Sequence, residues 1–238
     1  MTAAEQKVAI ITGGSQGIGA GLVAGYRELG WAVVASARRM KPTGDPDVLI
    51  VEGDIADPGT AGQIIEAALD RFGRVDTLVN NAGIFLSKPF TEYTAADYAA
   101  VIGVNLTGFF WLTQRAITEM LKRGAGHVVN ISATVADVAD SASPSVLAAL
   151  TKGGLAAATR SLAIEYASRG IRANAVSPGI IQTPMHPPES YADLGPQTPP
   201  VGRVGQVSDV VGGILYLESA PYVTGVILHI DGGQIAGH

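Results

Sequence analysis

The chain has 238 residues, 47% of them hydrophobic and 16% charged, and a formal net charge of −5. This length supports one large core, so we expect residues 1–238 to form a single domain. The absence of cysteine excludes disulfides, thiolate metal sites and cysteine nucleophiles, and the scattered basic residues lack the basic stripe of a nucleic-acid-binding protein. The first residues lack the apolar segment of a signal peptide and no apolar run reaches the roughly 18 residues of a membrane span, so we expect a cytoplasmic protein without membrane contact.

Short apolar runs alternate with segments of helical periodicity along the chain. The runs predict strands at 8–12, 32–37, 48–51, 75–80, 126–132, 172–177 and 226–230. The periodic segments predict helices at 17–29, 59–72, 95–122 with a break near Asn105, 145–168, and 209–217 with Ser208 as its N-cap. This alternation predicts an α/β fold, a single doubly wound, Rossmann-type parallel sheet with helices on both faces. The proline-rich stretch 183–205 predicts a lid-like substrate loop.

A glycine-rich turn joins the first predicted strand to the first predicted helix. Its sequence runs from Thr12 to Gly19 and contains Gly13, Ser15, Gln16, Gly17 and Ile18. Glycines at a helix N-terminus leave bare N–H groups that a pyrophosphate approaches, and the helix dipole favours its negative charge. A glycine cluster is also typical of a tight loop, but the strand–turn–helix context favours a dinucleotide site.

The end of the second predicted strand indicates which dinucleotide binds. NAD sites carry an acidic residue about 20 residues beyond the glycine turn, whereas NADP sites lack it and place a cation near the 2′-phosphate. Here Ala37 stands at that position and Arg38 and Arg39 follow it. Because a guanidinium pairs well with phosphate, NADP(H) is favoured over NAD(H). The alternative is that both arginines are ordinary solvated surface residues.

Several motifs in a fixed order carry a resemblance to a known family. They are the turn at 12–19, Asp54, Asn80-Asn81-Ala82-Gly83, Asn105, Asn130-Ile131-Ser132, Lys152, and Ser177-Pro178-Gly179 followed by Thr183. Together they resemble the short-chain dehydrogenase/reductase family over residues 7–233.

The resemblance implies roles for these residues. Asp54 and Ile55 would lie at the adenine, and Asn81, Ala82 and Gly83 would support the ribose side of the cofactor. Pro178, Gly179, Ile181 and Thr183 would line the nicotinamide, while Asn105 and Lys152 would be catalytic, Lys152 also holding the ribose. Each residue alone also has a local interpretation: a helix-cap turn at Asp54, a strand-end turn at Asn81–Gly83, a helix break at Asn105 and a surface lysine at 152.

The chain departs from the family pattern at the catalytic positions. The family's tyrosine stands one helical turn before the lysine, where this chain has Ala148, and its serine falls on Ala133. The segment between these alanines is slightly longer than the family spacing. We therefore consider Ser132 and Ser145 as substitute proton donors, and His186 and Tyr191 as substrate contacts from the lid. Of the other three histidines, His127 and His229 fall in or near strands and are expected to be structural, and the four separated histidines predict no metal site.

These features predict an NADP(H)-dependent oxidoreductase that transfers hydride between nicotinamide and a small carbonyl or alcohol substrate, with a non-standard proton relay. The alternative is an NADP(H)-binding protein without redox catalysis, either a sensor or a non-catalytic oligomer partner. A cofactor-assisted isomerase or dehydratase is a third possibility, because fold does not fix reaction. The resemblance also implies a homotetramer that pairs the helices 105–122 and 145–168, unless the small residues 156–158 only face this chain's own sheet.

Overall fold

Seven parallel strands form one sheet at the centre of the molecule. The computed structural model describes residues 6–185, 191 and 199–237. The strands are β1 (Val8–Thr12), β2 (Ala32–Ala37), β3 (Val48–Glu52), β4 (Thr77–Asn80), β5 (Gly126–Ile131), β6 (Ile171–Pro178) and β7 (Ile227–Ile230). Their order across the sheet is β3-β2-β1-β4-β5-β6-β7. The strands before β4 are added on one side of β1 and the later strands on the other side. The carboxyl ends of β1 and β4 therefore form the crevice where doubly wound folds bind ligands.

Helices cover both faces of this sheet. They are α1 (Gly17–Glu28), α2 (Pro58–Phe72), α3 (Ala95–Ile102), α4 (Gly108–Arg123), α5 (Val146–Tyr166) and α6 (Val207–Ser219). Buried residues of α2, α4 and α5 pack on one face of the sheet, and those of α1 and α6 pack on the other. The predicted doubly wound α/β fold is confirmed. Every residue of β1 is buried, which is why the central strands read as unbroken apolar runs.

Two predicted helix boundaries were wrong. The helix that begins near residue 95 is not broken at Asn105; a π-helical turn over Gly103–Thr107 joins α3 to α4 without interrupting the helix. Helix α6 begins two residues earlier than expected. Its N-cap is Gln206, which forms a capping box with Asp209, so Ser208 lies inside the first turn.

The continuous helix 95–123 is long and apolar enough to cross a membrane by length and composition alone. Its inner side packs on the sheet, where Leu112, Ala116 and Met120 are fully buried. Only 22% of its most apolar window is buried, and Phe110 and Trp111 are exposed on its outer side. The sequence analysis expected no membrane span because no unbroken apolar run is long enough, and that criterion does not detect this helix. The apolar residues on its inner side form part of the core, and those on its outer side form an exposed apolar surface.

Candidate active site

The glycine turn has the shape of an anion cradle. Gly13 has a φ of +67°, a region that side chains rarely adopt. A Cβ on Gly19 would collide with the carbonyl oxygen of Gly13 and lie 2.7 Å from Nδ2 of Asn81. The N-cap residue of α1, Gln16, makes no side-chain cap hydrogen bond, and Ser15 and Gln16 are exposed. The first turn of α1 therefore offers uncapped N–H groups to a pyrophosphate.

Hydrogen bonds tie this turn to the segment after β4. The Thr12 hydroxyl accepts from the main-chain nitrogens of Asn81 (3.0 Å) and Ala82 (2.9 Å), and Nδ2 of Asn81 donates to the Thr12 carbonyl oxygen (2.8 Å). One strand further, Nδ2 of Asn80 donates to Oδ1 of Asn130 (2.9 Å). The sequence analysis placed Thr12 in the glycine-rich turn but gave its hydroxyl no role; the signal is a hydroxyl at the end of an apolar strand.

Lys152 and Asn105 meet at Gly83. A Cβ on Gly83 would lie 3.2 Å from Nζ of Lys152 and 3.5 Å from Oδ1 of Asn105, so the lack of a side chain there makes room for both. Nζ of Lys152 donates to the carbonyl oxygen of Ile131, 2.7 Å away. Burial of the Lys152 ammonium lowers its pKa to about 8. A surface-lysine interpretation does not fit this environment.

The π-helical turn holds Asn105 in place. Its Oδ1 accepts from the main-chain nitrogen of Ile84 (2.9 Å), and its Nδ2 donates to the Ile84 carbonyl oxygen (3.1 Å) and the Thr151 hydroxyl (3.1 Å). Both ends of the amide are thus occupied by the protein. Asn105 acts as a clamp on the chain after Gly83, and such π-helical turns are frequent at functional sites.

The two serines considered as substitute acids both donate to carbonyl oxygens. The buried Ser132 hydroxyl donates to the main chain of Lys152 (3.1 Å), and Ser145, the N-cap of α5, donates to the main chain of Ser143 (2.9 Å). Ala133 follows Ser132 and Ala148 lies in the first turn of α5, and neither methyl side chain can donate a proton. A serine hydroxyl does not titrate near neutral pH, whereas the buried Lys152 ammonium has a pKa of about 8.

The arginines expected at the ribose lie at the exposed end of β2. Arg38 and Arg39 are both exposed and pair with no acidic side chain within the described part of the chain. Asp54 is exposed after β3 and accepts from the main-chain nitrogen of Ala56 (3.0 Å), whereas Asp57 is the residue that caps α2. Ile55 packs against Gly108 of α4.

The segment after β6 crosses above the glycine turn. Gly179 is bound to β7 through the carbonyl oxygen of Ile230 (3.0 Å), and Ile181 is buried. A Cβ on Gly17 would lie 3.3 Å from Cβ of Thr183, which places Thr183 over the cradle. The Tyr191 hydroxyl contacts main-chain atoms of Ile181 and Thr183.

Other predicted positions are placed as follows. Pro178 ends β6 beside Gly179, while His186 and most of the expected lid lie outside the described residues. Within residues 6–185, 191 and 199–237, no group of three His, Asp or Glu residues is placed to hold a metal ion.

Comparison with known proteins places the chain among dehydrogenases. Residues 13–234 match the family described as enoyl-(acyl carrier protein) reductase. A 3-oxoacyl-[acyl-carrier-protein] reductase of Synechocystis is 34% identical, and the match covers 99% of each chain. The structure of ElxO with NADP bound matches with a TM-score of 0.90 at 30% identity, covering 98% of this chain and 100% of that one.

A second solved structure is the 3-ketoacyl-(acyl-carrier-protein) reductase of Brucella melitensis in complex with NADH. It matches with a TM-score of 0.88 at 30% identity, covering 97% of this chain and 99% of that one. The fold, the order of the motifs and these similarities agree. The chain belongs to the short-chain dehydrogenase/reductase family.

Proposed function

We propose that the protein is an NADP(H)-dependent oxidoreductase that transfers hydride between nicotinamide and a small carbonyl or alcohol substrate. The observation that carries this proposal is the convergence of Lys152 and Asn105 on Gly83, next to the uncapped N-terminus of α1. A glycine cradle alone supports only binding. A buried ammonium beside it provides a group that acts on the ribose or on the substrate oxygen.

The preference for NADP(H) rests on charge at the end of β2. Arg38 and Arg39 are solvent-exposed, so a 2′-phosphate meets two guanidinium groups without displacing a carboxylate partner. The relatives alone do not decide the point, because ElxO binds NADP and the Brucella reductase binds NADH.

The proton relay we propose uses Lys152. Ala133 and Ala148 occupy the positions where the family pattern has a serine and a tyrosine, and the hydroxyls of Ser132 and Ser145 donate to carbonyl oxygens. When bound, the nicotinamide supplies the hydride that adds to the carbonyl carbon. The ammonium at Nζ of Lys152 then gives its proton to the carbonyl oxygen, which completes the alcohol. A lysine with its pKa near the working pH suits this role.

The test is a titration of the protein with NADPH and with NADH, followed by nicotinamide fluorescence, and then a panel of aldehydes and ketones on the same sample. We expect tighter binding of NADPH and oxidation of NADPH by members of the panel. Arg38→Ala together with Arg39→Ala is the matched variant and should weaken NADPH binding while leaving NADH binding unchanged. Absence of binding to both dinucleotides contradicts the whole proposal.

A second candidate function is cofactor binding without redox catalysis. Ala133 and Ala148 favour it, because neither residue offers a proton at the position where the family reaction needs one. Ala148→Tyr combined with Ala133→Ser should then create NADPH-dependent reduction in a protein that binds NADPH but turns over no carbonyl. Turnover by the unaltered protein at a rate well above background contradicts this second function.

We also propose that the chain assembles as a homotetramer through the outer surfaces of α4 and α5. A groove there is lined by Leu106, Phe109, Phe110, Trp111, Gly154 and Ala158, with Thr107 at its edge. Phe110 is 53% exposed and Trp111 is 37% exposed, which is unusual for adjacent aromatic residues of a protein without a partner. Ala156 is buried, but Ala157 is exposed and Ala158 lies at the groove.

A further inference from the structure

A cluster of three polar side chains lies beside the active site, at the carboxyl ends of β6 and β7. Asp137 belongs to the loop between β5 and α5, directly after the 3-10 turn Thr134–Ala136. Its Oδ2 accepts from the Ser177 hydroxyl (3.4 Å) and from Nε2 of His229 (3.2 Å). Ser177 and His229 are paired neighbours in β6 and β7, so their side chains leave the sheet on the same face.

The order of these groups shows what the cluster does. The carboxylate lies between the hydroxyl and the imidazole, whereas a serine nucleophile needs the imidazole next to its hydroxyl. The arrangement instead gives one loop carboxylate two donors from two neighbouring strands. Both contacts are at the long end of hydrogen-bond distance, so it is the two donors together that anchor the loop to the sheet.

The same loop is anchored at its other end. The carbonyl oxygen of Pro144 accepts from the Ser87 hydroxyl (2.9 Å) and from the main-chain nitrogen of Lys88 (2.9 Å), both in the segment after β4. Between the two anchors the loop contains local turns, such as the bond from the Ala142 nitrogen to Asp140 (2.8 Å). The loop lies between β5 and α5, and Ala133 near its start and Ala148 just after its end occupy the positions where the family pattern has a serine and a tyrosine.

We infer that Asp137 and His229 are positioning residues that hold the β5–α5 loop as a fixed wall of the substrate cleft. Neither side chain reaches the glycine cradle, so the anchor acts on substrate affinity and not on cofactor affinity. Both side chains are partly open to solvent, Asp137 at 34% and His229 at 29%, so each is replaceable without emptying the core. The kinetic part of this inference rests on the proposed function, but the structural part does not.

The experiment compares hydrogen exchange of the loop in four variants of the full-length protein. Asp137→Ala and His229→Leu remove the anchor, His229→Gln keeps an N–H donor, and Glu119→Ala removes an unrelated ion pair on α4. We expect exchange within 133–145 to rise about tenfold in the first two, as loss of a charged hydrogen bond implies. His229→Gln and Glu119→Ala should match the unaltered protein, and exchange at the glycine turn 12–19 should not change in any variant.

A kinetic measurement separates positioning from general loosening. With a carbonyl found by the panel, Asp137→Ala and His229→Leu should raise KM about tenfold, in line with the lost hydrogen bond, while NADPH affinity is unchanged. Unchanged exchange in 133–145, exchange that rises over the whole chain, or a His229→Gln variant as loose as His229→Leu would overturn the inference. A protein that turns over no carbonyl contradicts the proposed function instead, and the exchange comparison still decides the anchoring.

Discussion

A single lysine combines several features at the residue scale. Nζ of Lys152 reaches the end of β5 and the space beside Gly83, and burial lowers its pKa to about 8. An ordinary lysine is almost wholly protonated at pH 8, whereas Lys152 titrates there. Because Ala148 has no hydroxyl, the proposed function assigns the proton transfer to Lys152 itself.

The pH dependence of carbonyl reduction tests this directly. Only the ammonium form donates a proton, so kcat should fall above pH 8, approaching about tenfold per pH unit. Lys152→Met should reduce kcat by about 10² to 10⁴ and remove the alkaline limb. A rate profile that stays flat from pH 7 to beyond 9.5 in the unaltered protein contradicts the role of Lys152 as acid.

The cradle gives a second prediction at this scale. Gly19→Ala places a Cβ against the carbonyl oxygen of Gly13, so the turn must shift and NADPH affinity should fall about tenfold or more. Gly212→Ala in α6 is the matched control, since a Cβ there meets nothing within 4 Å. The control should retain NADPH binding and gain a little thermal stability, because alanine is the better helix former. Equal NADPH affinity in both variants would show that the cradle is not the binding site.

At the scale of elements, a buried polar cluster joins four of them at the amino ends of the strands. Oε2 of Glu218 in α6 accepts from Tyr26 in α1 (3.0 Å) and Thr77 in β4 (2.9 Å), and it contacts Nδ1 of His127 in β5 (3.0 Å). Nε2 of His127 faces the donor Nδ2 of Asn174 (3.0 Å), so that nitrogen is an acceptor and the proton lies on Nδ1. The imidazole is therefore neutral in the folded protein.

This cluster predicts how stability depends on pH. Burial lowers the pKa of His127 below 6.5 in the folded protein. As pH falls through 6.5, the imidazole is therefore protonated in the unfolded chain but not in the folded one, and the free energy of unfolding decreases. Burial alone would raise the pKa of Glu218, but its hydrogen bonds from His127, Thr77 and Tyr26 outweigh this and lower it below 4.5. The free energy of unfolding should thus be greatest above pH 6.5 and decline in two stages toward acid.

A substitution in α6 checks the contribution of the cluster. Glu218→Gln should lower the free energy of unfolding by about 1–3 kcal/mol, because one of its donors is left without a charged acceptor in a buried place. Glu165→Gln, in an exposed ion pair of α5, is the control and should change little. Urea unfolding at pH 7.5 measures both, and equal effects would mean that the cluster is not a stabilising unit.

The elements themselves were largely predictable, and their polar contacts were not. The apolar runs of β1 and β2 are buried on both faces, so their bounds could be predicted to the residue. The predicted N-cap of α6 was wrong because Gln206 and Ser208 are both plausible caps in the sequence. The capping box between Gln206 and Asp209 is seen only in the folded structure. The contact of Asp137 with His229 joins residues 92 positions apart, and no local pattern indicates such a pair.

At the scale of the whole molecule, the outer surface of α4 and α5 is the feature without a partner in one chain. Trp111→Glu puts a charge in the middle of that surface and should dissociate the proposed homotetramer, because a charge buried without a partner is costly at an interface. Tyr222→Glu is the control, since Tyr222 is fully exposed away from the groove. Light scattering after gel filtration gives the mass in multiples of 24.4 kDa, and a monomeric unaltered protein would contradict the tetramer.

The side-chain amide of Asn105 is hydrogen-bonded at both ends, and this has a consequence for catalysis in dilute solution. Asn105 forms hydrogen bonds with the main-chain nitrogen and carbonyl oxygen of Ile84. It belongs to the same continuous helix whose outer side carries Phe110 and Trp111. In the proposed homotetramer, a neighbouring subunit packed against that outer side would stabilise the helix that positions Asn105. Specific activity should then decrease on dilution below the dissociation constant of the proposed homotetramer and recover on reconcentration.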